Sequence, residues 1–167
     1  MGKITFDKVI IEADFLKSET MLFDKGNISI IKYFDFDHTT FDANNQDLLN
    51  GISGQSIIYC IWTGISPNNF SPKYIGHAGN KISRQRIRAH LTKKNEATGA
   101  QLDKIKEVLK QKKCIGISII TIEPPYMRKA LEDWLIDKHS EILEWNAIGR
   151  RPQTKQTHNN NSTSIEQ

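Results

Sequence analysis

The chain has 167 residues, of which 38% are hydrophobic and 25% are charged, and its formal net charge is +4. These values are typical of a single globular domain with one hydrophobic core. No apolar run reaches the roughly 18 residues that a transmembrane helix needs, and the charged opening of the chain argues against a secretory signal. We therefore expect a cytoplasmic protein.

Positive charge is concentrated in one part of the chain. Residues 1–50 contain five Lys and nine Asp or Glu, whereas residues 73–113 contain twelve Lys or Arg and only three Asp or Glu. A solvated charged face usually mixes both signs, so clustering of one sign is the pattern expected for a polyanionic partner. The distribution therefore indicates a nucleic acid.

Residues 1–54 predict an N-terminal α/β extension that packs on the core. The pattern favours a strand or its approach over 4–11, a helix over 12–24 that stops at Gly26, a strand over 27–36, and a polar seam over 44–54.

Two groups of residues could bind a metal by their chemistry, but a structural role explains each of them better. Asp35, Asp37, His38 and Asp42 form an acidic cluster that could bind a metal, but the same residues are typical of a polar turn, which we favour. The two cysteines, Cys60 and Cys114, lie in apolar runs without metal-ligand spacing, so we expect small buried side chains rather than ligands or a disulfide.

Residues 55–151 predict a second, larger unit with strands and helices in alternation. Ser83 is expected to cap the helix that follows it, and residues 152–167 are expected to be a disordered tail. In chain order, the sequence predicts a strand over 57–63, a loop over 64–72, a strand over 73–76 and a helix from 83. A helix over 100–111 and a strand over 114–122 follow, and two prolines end that strand. The last predicted helix reaches about 145, and its residues expected to face the core are Leu131, Trp134, Leu135, Ile142 and Leu143.

The helix from Ser83 carries a cation and a titratable group on one face. Arg86 and His90 are four residues apart, so their side chains lie one above the other. A permanent cation beside an imidazole, with a tyrosine hydroxyl from a neighbouring strand, suits chemistry on a phosphate ester. An ordinary basic surface helix explains this stretch equally well.

An ordered set of residues resembles the GIY-YIG nuclease family. Tyr59 lies in one predicted strand and Tyr74-Ile75-Gly76 in the next; Arg86-x-x-x-His90, a helical Glu132 and then Asn146 follow. The resemblance covers residues 57–150. The first motif keeps only its tyrosine, and His77 stands where some members carry Lys. The resemblance implies an α+β fold with a small three-stranded mixed or antiparallel sheet flanked by helices.

The resemblance also implies a function, a metal-dependent DNA endonuclease of the restriction type. In this interpretation Glu132 binds one Mg²⁺ or Mn²⁺ ion, and Arg86 contacts the phosphate. Tyr59 and Tyr74 orient the attacking water, with Tyr59 or His90 as the base. Gly76 would provide a tight turn and Asn146 would support the site. Phosphate-backbone contacts are expected from His77, Arg84, Arg88, Lys93, Lys94, Arg150 and Arg151.

Alternatives remain open for both the residues and the function. Singly, Tyr59 and Tyr74 are also typical of half-buried strand aromatics, Glu132 could pair with Arg128, and Asn146 could simply end a helix. A structure-specific or mobile-element nuclease, or a catalytically silent nucleic-acid-binding module of the same fold, would carry a similar pattern. Cutting of palindromic sites would require a homodimer or sequential nicking.

Overall fold

The computed structural model describes residue 4 and residues 8–34, 37–95 and 100–149. Within them, 3₁₀ turns occupy Lys25–Asn27, Pro67–Asn69 and Glu144–Gly149. The helices are α1 (Lys8–Leu22), α2 (His38–Asn44), α3 (Gln46–Gly51), α4 (Ser83–Thr92), α5 (Leu102–Lys110) and α6 (Met127–Lys138). The strands are β1 (Ser29–Ile30), β2 (Ile57–Gly64), β3 (Ser71–Ala78), β4 (Lys94–Asn95), β5 (Ala100–Gln101) and β6 (Cys114–Thr121).

Four strands form one antiparallel sheet in the order β1-β6-β2-β3, and β4 pairs with β5 separately. The two central strands are the most apolar in the sequence, and every residue of β2 is buried, as expected for strands covered on both faces. The predicted α+β class is confirmed. The prediction of three strands is wrong, because the N-terminal segment adds β1 to the edge of β6.

The sheet has a hydrophobic core on each face, because successive side chains of β2 point in opposite directions. Ile57, Tyr59 and Ile61 pack with residues of α2, α3, α4 and α5. Ile58, Cys60 and Trp62 pack with residues of α1 and α6. The molecule is therefore a helix–sheet–helix sandwich, in which the N-terminal segment contributes to both cores.

Several predicted boundaries in the N-terminal half were wrong. The first helix begins at Lys8, within the expected strand over 4–11, and the strand expected over 27–36 is reduced to Ser29–Ile30. The expected polar seam over 44–54 contains α3, whose Leu49 is fully buried. The strand Ser29–Ile30 has two residues and α3 has six, too few apolar positions for a period to be recognised.

Two predictions in the C-terminal half also failed. The last helix ends at Lys138 and is followed by the 3₁₀ turn Glu144–Gly149, not by helix to 145. Ile142, expected in the core, is 45% exposed. Leu131, Leu135 and Leu143 are buried as predicted. The predicted tail over 152–167 lies outside the described residues. None of the helices that the structure describes has the length and apolar character needed to cross a membrane.

Candidate functional site

The candidate site lies at the β3 edge of the sheet, where a glycine makes room for two tyrosine rings. Tyr59 of β2 is opposite Gly76 of β3, and Tyr74 lies on the same face. A Cβ atom on Gly76 would be 2.6 Å from the Tyr59 hydroxyl oxygen and 2.7 Å from Tyr74 Cε1. The expected tight turn at Gly76 is wrong, because the strand continues to Ala78. The glycine is needed for space.

Helix α4 brings a histidine against these two rings. His90 is fully buried, and its Nδ1 atom is 3.1 Å from the Tyr59 hydroxyl. Its ring centroid is 5.8 Å from that of Tyr59 and 5.2 Å from that of Tyr74. The helix packs against the core through Ile87 and Leu91, which are fully buried. The imidazole and both phenols therefore form one packed cluster.

The structure does not show the predicted capping of α4 by Ser83. Ile82, not Ser83, occupies the capping position, and no side chain caps the helix there. The buried Ser83 hydroxyl instead donates to the carbonyl of Ile52, at 2.7 Å. This bond joins α4 to the end of α3, so the N-terminal segment helps to place Arg86 and His90.

Burial and neighbouring charges hold both phenols in their neutral form. Burial raises the pKa of Tyr59 well above its ordinary value; Tyr74 and Glu132 add to the rise, and Arg86 opposes it. Burial raises the pKa of Tyr74 to about 12, with Arg86 again opposing. The Arg86 guanidinium thus lies close to both hydroxyls, which is where the predicted phosphate contact requires it.

Glu132 approaches the same edge from the other helical layer. Helix α6 packs on the opposite face of the sheet but contacts β3, and one Glu132 oxygen (Oε2) is 3.5 Å from His77 Nδ1. Burial raises the pKa of Glu132 from about 4.5 to about 7; the charges of Lys129 and Arg86 only partly offset it. The Arg86 charge therefore acts on the Glu132 carboxylate, although α6 and His77 lie on the face of the sheet opposite to Tyr59 and Tyr74.

His77 lies beside Glu132 in a cationic environment. Burial, together with the positive charges of Arg128, Lys129 and Arg86, lowers its pKa from about 6.5 to about 4. His77 is therefore a neutral imidazole at pH 7. This differs from the sequence prediction, which assigned His77 to phosphate-backbone contact as part of a basic surface.

Asn146 completes the edge of the sheet by binding the backbone of β3. Its Oδ1 accepts from the Ile75 N–H and its Nδ2 donates to the Ile75 carbonyl, both at 2.8 Å. The buried amide thus replaces the neighbouring strand that Ile75 lacks. Asn146 supports the strand that carries Tyr74 and Gly76, and it touches them only through that strand.

The predicted DNA-contacting cations are only partly available for that role. Arg84 and Arg88 both donate to Asp42 Oδ2, at 3.2 and 3.1 Å, and Arg84 also donates to Asn50. Lys93 is exposed. The side chain of Lys94, and all of Arg150 and Arg151, lie outside what the structure describes.

The acidic cluster near residue 40 is structural in the part that the structure describes. Asp37 caps α2 by accepting from the backbone of Thr39 and Thr40, and Asp42 pairs with the two arginines of α4. Asp35 and the His38 side chain lie outside the described part. Within the described residues, no group of three or more His, Cys, Asp or Glu side chains could hold a metal.

The site nevertheless fits a single hard cation that keeps most of its water. Mg²⁺ is commonly held by one or two carboxylates together with substrate phosphate oxygens and water. Glu132 supplies one carboxylate, 14% exposed, whose pKa responds to the charge of Arg86. Because burial disfavours its charged form, a bound cation would stabilise the ionised carboxylate. The residues present therefore fit one ion at Glu132.

Arg128 is a potential site residue that the sequence did not single out. Its Nη1 donates to the carbonyl of Pro125, and its positive charge lowers the pKa of His77. A Cβ on Gly79 would be 3.6 Å from its Nη2. The sequence shows Arg128 one helical turn before Glu132, and this spacing suggested an ion pair between the two residues. It did not suggest that Arg128 is a second cation at the site.

Comparisons of the chain with protein-family models, with curated proteins and with solved structures found no match. The resemblance to GIY-YIG nucleases therefore stays a prediction from the motifs.

Proposed function

We propose that this protein is a metal-dependent DNA endonuclease of the GIY-YIG type. One observation carries the proposal. Tyr59, Tyr74 and His90 pack together from three different elements, and the charges of Arg86 and Glu132 both act on the two phenols. Hydrolysis of a phosphodiester needs a water molecule that loses a proton, a cation on the phosphate and help for the leaving oxygen.

Each charged residue then has one task. Arg86 contacts the nonbridging oxygens of the scissile phosphate, which a planar guanidinium can bind through two parallel hydrogen bonds. Glu132 holds one Mg²⁺ or Mn²⁺ ion, whose chemistry when bound is to neutralise negative charge on the phosphate. Arg128, close to His77, adds positive charge on the same side of the site.

The burial of the phenols favours one route for the proton. Tyr59 has no exposed surface and Tyr74 is 7% exposed, so Tyr74 is the phenol that a water molecule can reach. Because both hydroxyls stay protonated at neutral pH, we assign the base to His90. The water proton passes to Tyr74, the Tyr74 proton to Tyr59, and the Tyr59 proton to His90 Nδ1. The resulting hydroxide forms a bond to phosphorus as the bond to the 3′ oxygen breaks, and the departing 3′ oxygen takes a proton from solvent water to become a hydroxyl.

The basic region supports DNA as the substrate. Residues 73–113 carry twelve Lys or Arg around the site, and contacts between such residues and phosphates make affinity strongly dependent on salt. Base recognition of the restriction type would come from the segment 64–72 and the N-terminal layer, because phosphate contacts alone carry no sequence information. The proposed compartment is the cytoplasm, and palindromic cutting would require a homodimer or sequential nicking.

Incubation of plasmid DNA with the protein in Mg²⁺ or Mn²⁺ tests the proposal. The unmodified protein should cut, and Glu132→Gln and Arg86→Ala should not. Asp137→Asn is the matched control, because Asp137 is an exposed acid on the same helix, and it should cut normally. Binding without cutting by the unmodified protein would contradict the proposal and identify a silent binding module.

The substrate preference separates the kinds of nuclease. Sequencing the ends formed from a random DNA library should give one short sequence if the enzyme is of the restriction type. Cutting confined to flaps or branches would instead identify a structure-specific nuclease, and a long asymmetric site would point to a mobile-element nuclease.

A further inference from the structure

The Nδ1 atom of His77 has no hydrogen-bond partner in the described part of the chain, although it is shielded from solvent. The Oε2 atom of Glu132 is 3.5 Å from it. This separation is too long for a good hydrogen bond between nitrogen and oxygen. Two groups that could bond each other are therefore held slightly apart, at the edge where the cation is proposed to bind.

The separation matches that of two ligands on one metal ion. Bonds from a transition metal to imidazole nitrogen and carboxylate oxygen are both about 2.1 Å. Two such bonds span the 3.5 Å between Nδ1 and Oε2 when the angle between them is about 110°. That angle is close to tetrahedral and lies within the range of distorted five- and six-coordinate sites.

We propose that His77 Nδ1 and Glu132 Oε2 together bind a divalent transition metal ion, and that water and a phosphate oxygen complete its coordination. This inference rests on the proposed nuclease function, and it makes His77 a metal ligand and not a phosphate-contacting residue. An imidazole ligand favours ions such as Co²⁺, Ni²⁺ or Zn²⁺ over Mg²⁺, which prefers oxygen. The site should thus prefer these ions.

The surrounding charges limit how tightly the ion binds. Arg128, Lys129 and Arg86 all act on His77 electrostatically, and Asp133 opposes them. Positive charge near the ion weakens its binding until a phosphate arrives to offset it. We expect weak binding by the protein alone, so titrations should extend to millimolar metal.

A second Glu–His pair in the chain supplies a matched control. His139 Nε2 is 2.5 Å from Glu19 Oε1, and Lys138 donates to the other Glu19 oxygen at 2.7 Å. The His139 side chain is 22% exposed, against 26% for His77. Its Glu and His atoms are in direct contact and the carboxylate already has a cation. This pair therefore has no room for a metal.

Pulsed electron paramagnetic resonance of Mn²⁺ bound to the full chain tests the inference directly. We expect coupling to ¹⁴N in the unmodified protein, and its replacement by ¹⁵N coupling when histidine is labelled. The coupling should disappear in His77→Asn and in His77→Gln and persist in His139→Asn. Circular dichroism checks that each variant is folded.

Calorimetric titration gives a second readout. The asparagine in His77→Asn offers an oxygen in place of Nδ1, so the affinity for Co²⁺ relative to Mg²⁺ should fall on the order of tenfold or more. Absence of bound Mn²⁺ at millimolar concentration, or bound Mn²⁺ without nitrogen coupling, would overturn the inference. Plasmid cutting that needs Glu132 would still stand in the second case, and nitrogen coupling without plasmid cutting would leave the metal site but refute the nuclease.

Discussion

Replacing Glu132 by Gln should stabilise the metal-free protein at alkaline pH, although it removes the proposed metal ligand. Burial raises the pKa of this carboxyl from about 4.5 to about 7. At about 1.4 kcal/mol per pKa unit, ionised Glu132 lowers the free energy of unfolding by about 3 kcal/mol above pH 7. A Gln has a similar shape and stays neutral, so the variant should gain about this amount at pH 8.

The gain should shrink as the pH falls. A raised carboxyl pKa stabilises the folded state below the unfolded pKa of about 4.5, and this contribution is lost as the pH rises through about 7. At pH 5 the wild-type Glu132 is already protonated in the folded protein, and the difference between the two proteins should be about 1 kcal/mol or less.

The titration of His77 changes the free energy of unfolding in the opposite direction over the same pH range. Its pKa is lowered from about 6.5 to about 4, so its contribution is present above pH 6.5 and is lost as the pH falls through 4. In the wild type the two groups nearly cancel between pH 7 and pH 5. Glu132→Gln should expose the His77 dependence, a loss of about 2 kcal/mol over that interval.

Urea denaturation followed by tryptophan fluorescence in EDTA measures these values at pH 5, 6, 7 and 8. Asp137→Asn is the control for removing an exposed acid from the same helix, and it should change stability by less than about 0.5 kcal/mol. A Glu132→Gln variant no more stable than the wild type at pH 8, or equally stabilised at pH 5, would refute the argument from burial.

Three further predictions concern the supports of the site. Gly76→Ala should cost about 1–3 kcal/mol and abolish cutting, because its Cβ would overlap the Tyr59 hydroxyl. Gly51→Ala, which meets nothing within 4 Å, should be nearly neutral in the same urea titration. Asn146→Ala should cost about 3 kcal/mol by leaving the buried backbone of β3 without its two partners, and a loss under about 1 kcal/mol would contradict that role. Asp42→Asn should release two arginines, so fluorescence anisotropy should show tighter DNA binding with a steeper salt dependence; unchanged affinity in a folded variant would contradict this.

The sequence alone was sufficient for the elements whose signal is local. The β-branched and aromatic run of β2, the apolar run of β6 and the spacing of Arg86 and His90 each specify one element with one orientation, because side-chain direction follows directly from strand or helix geometry. The α+β class was predicted from the resemblance to the GIY-YIG family. The strand predicted over 27–36 was too long and α3 was missed, because pairing and burial, and not their own composition, stabilise these short pieces.

Only the tertiary structure decided which side chains meet. Asp42 and the two arginines of α4 are far apart in the chain, so the sequence counted all three as separate surface charges. Gly76 was expected at a turn, yet its lack of a side chain matters because Tyr59 lies across the strand from it. His77 was expected to contact the phosphate backbone together with several cations, but burial and nearby positive charges lower its pKa to about 4, and it lies 3.5 Å from Glu132. Proximity and desolvation arise from packing between distant segments, and no local pattern encodes them.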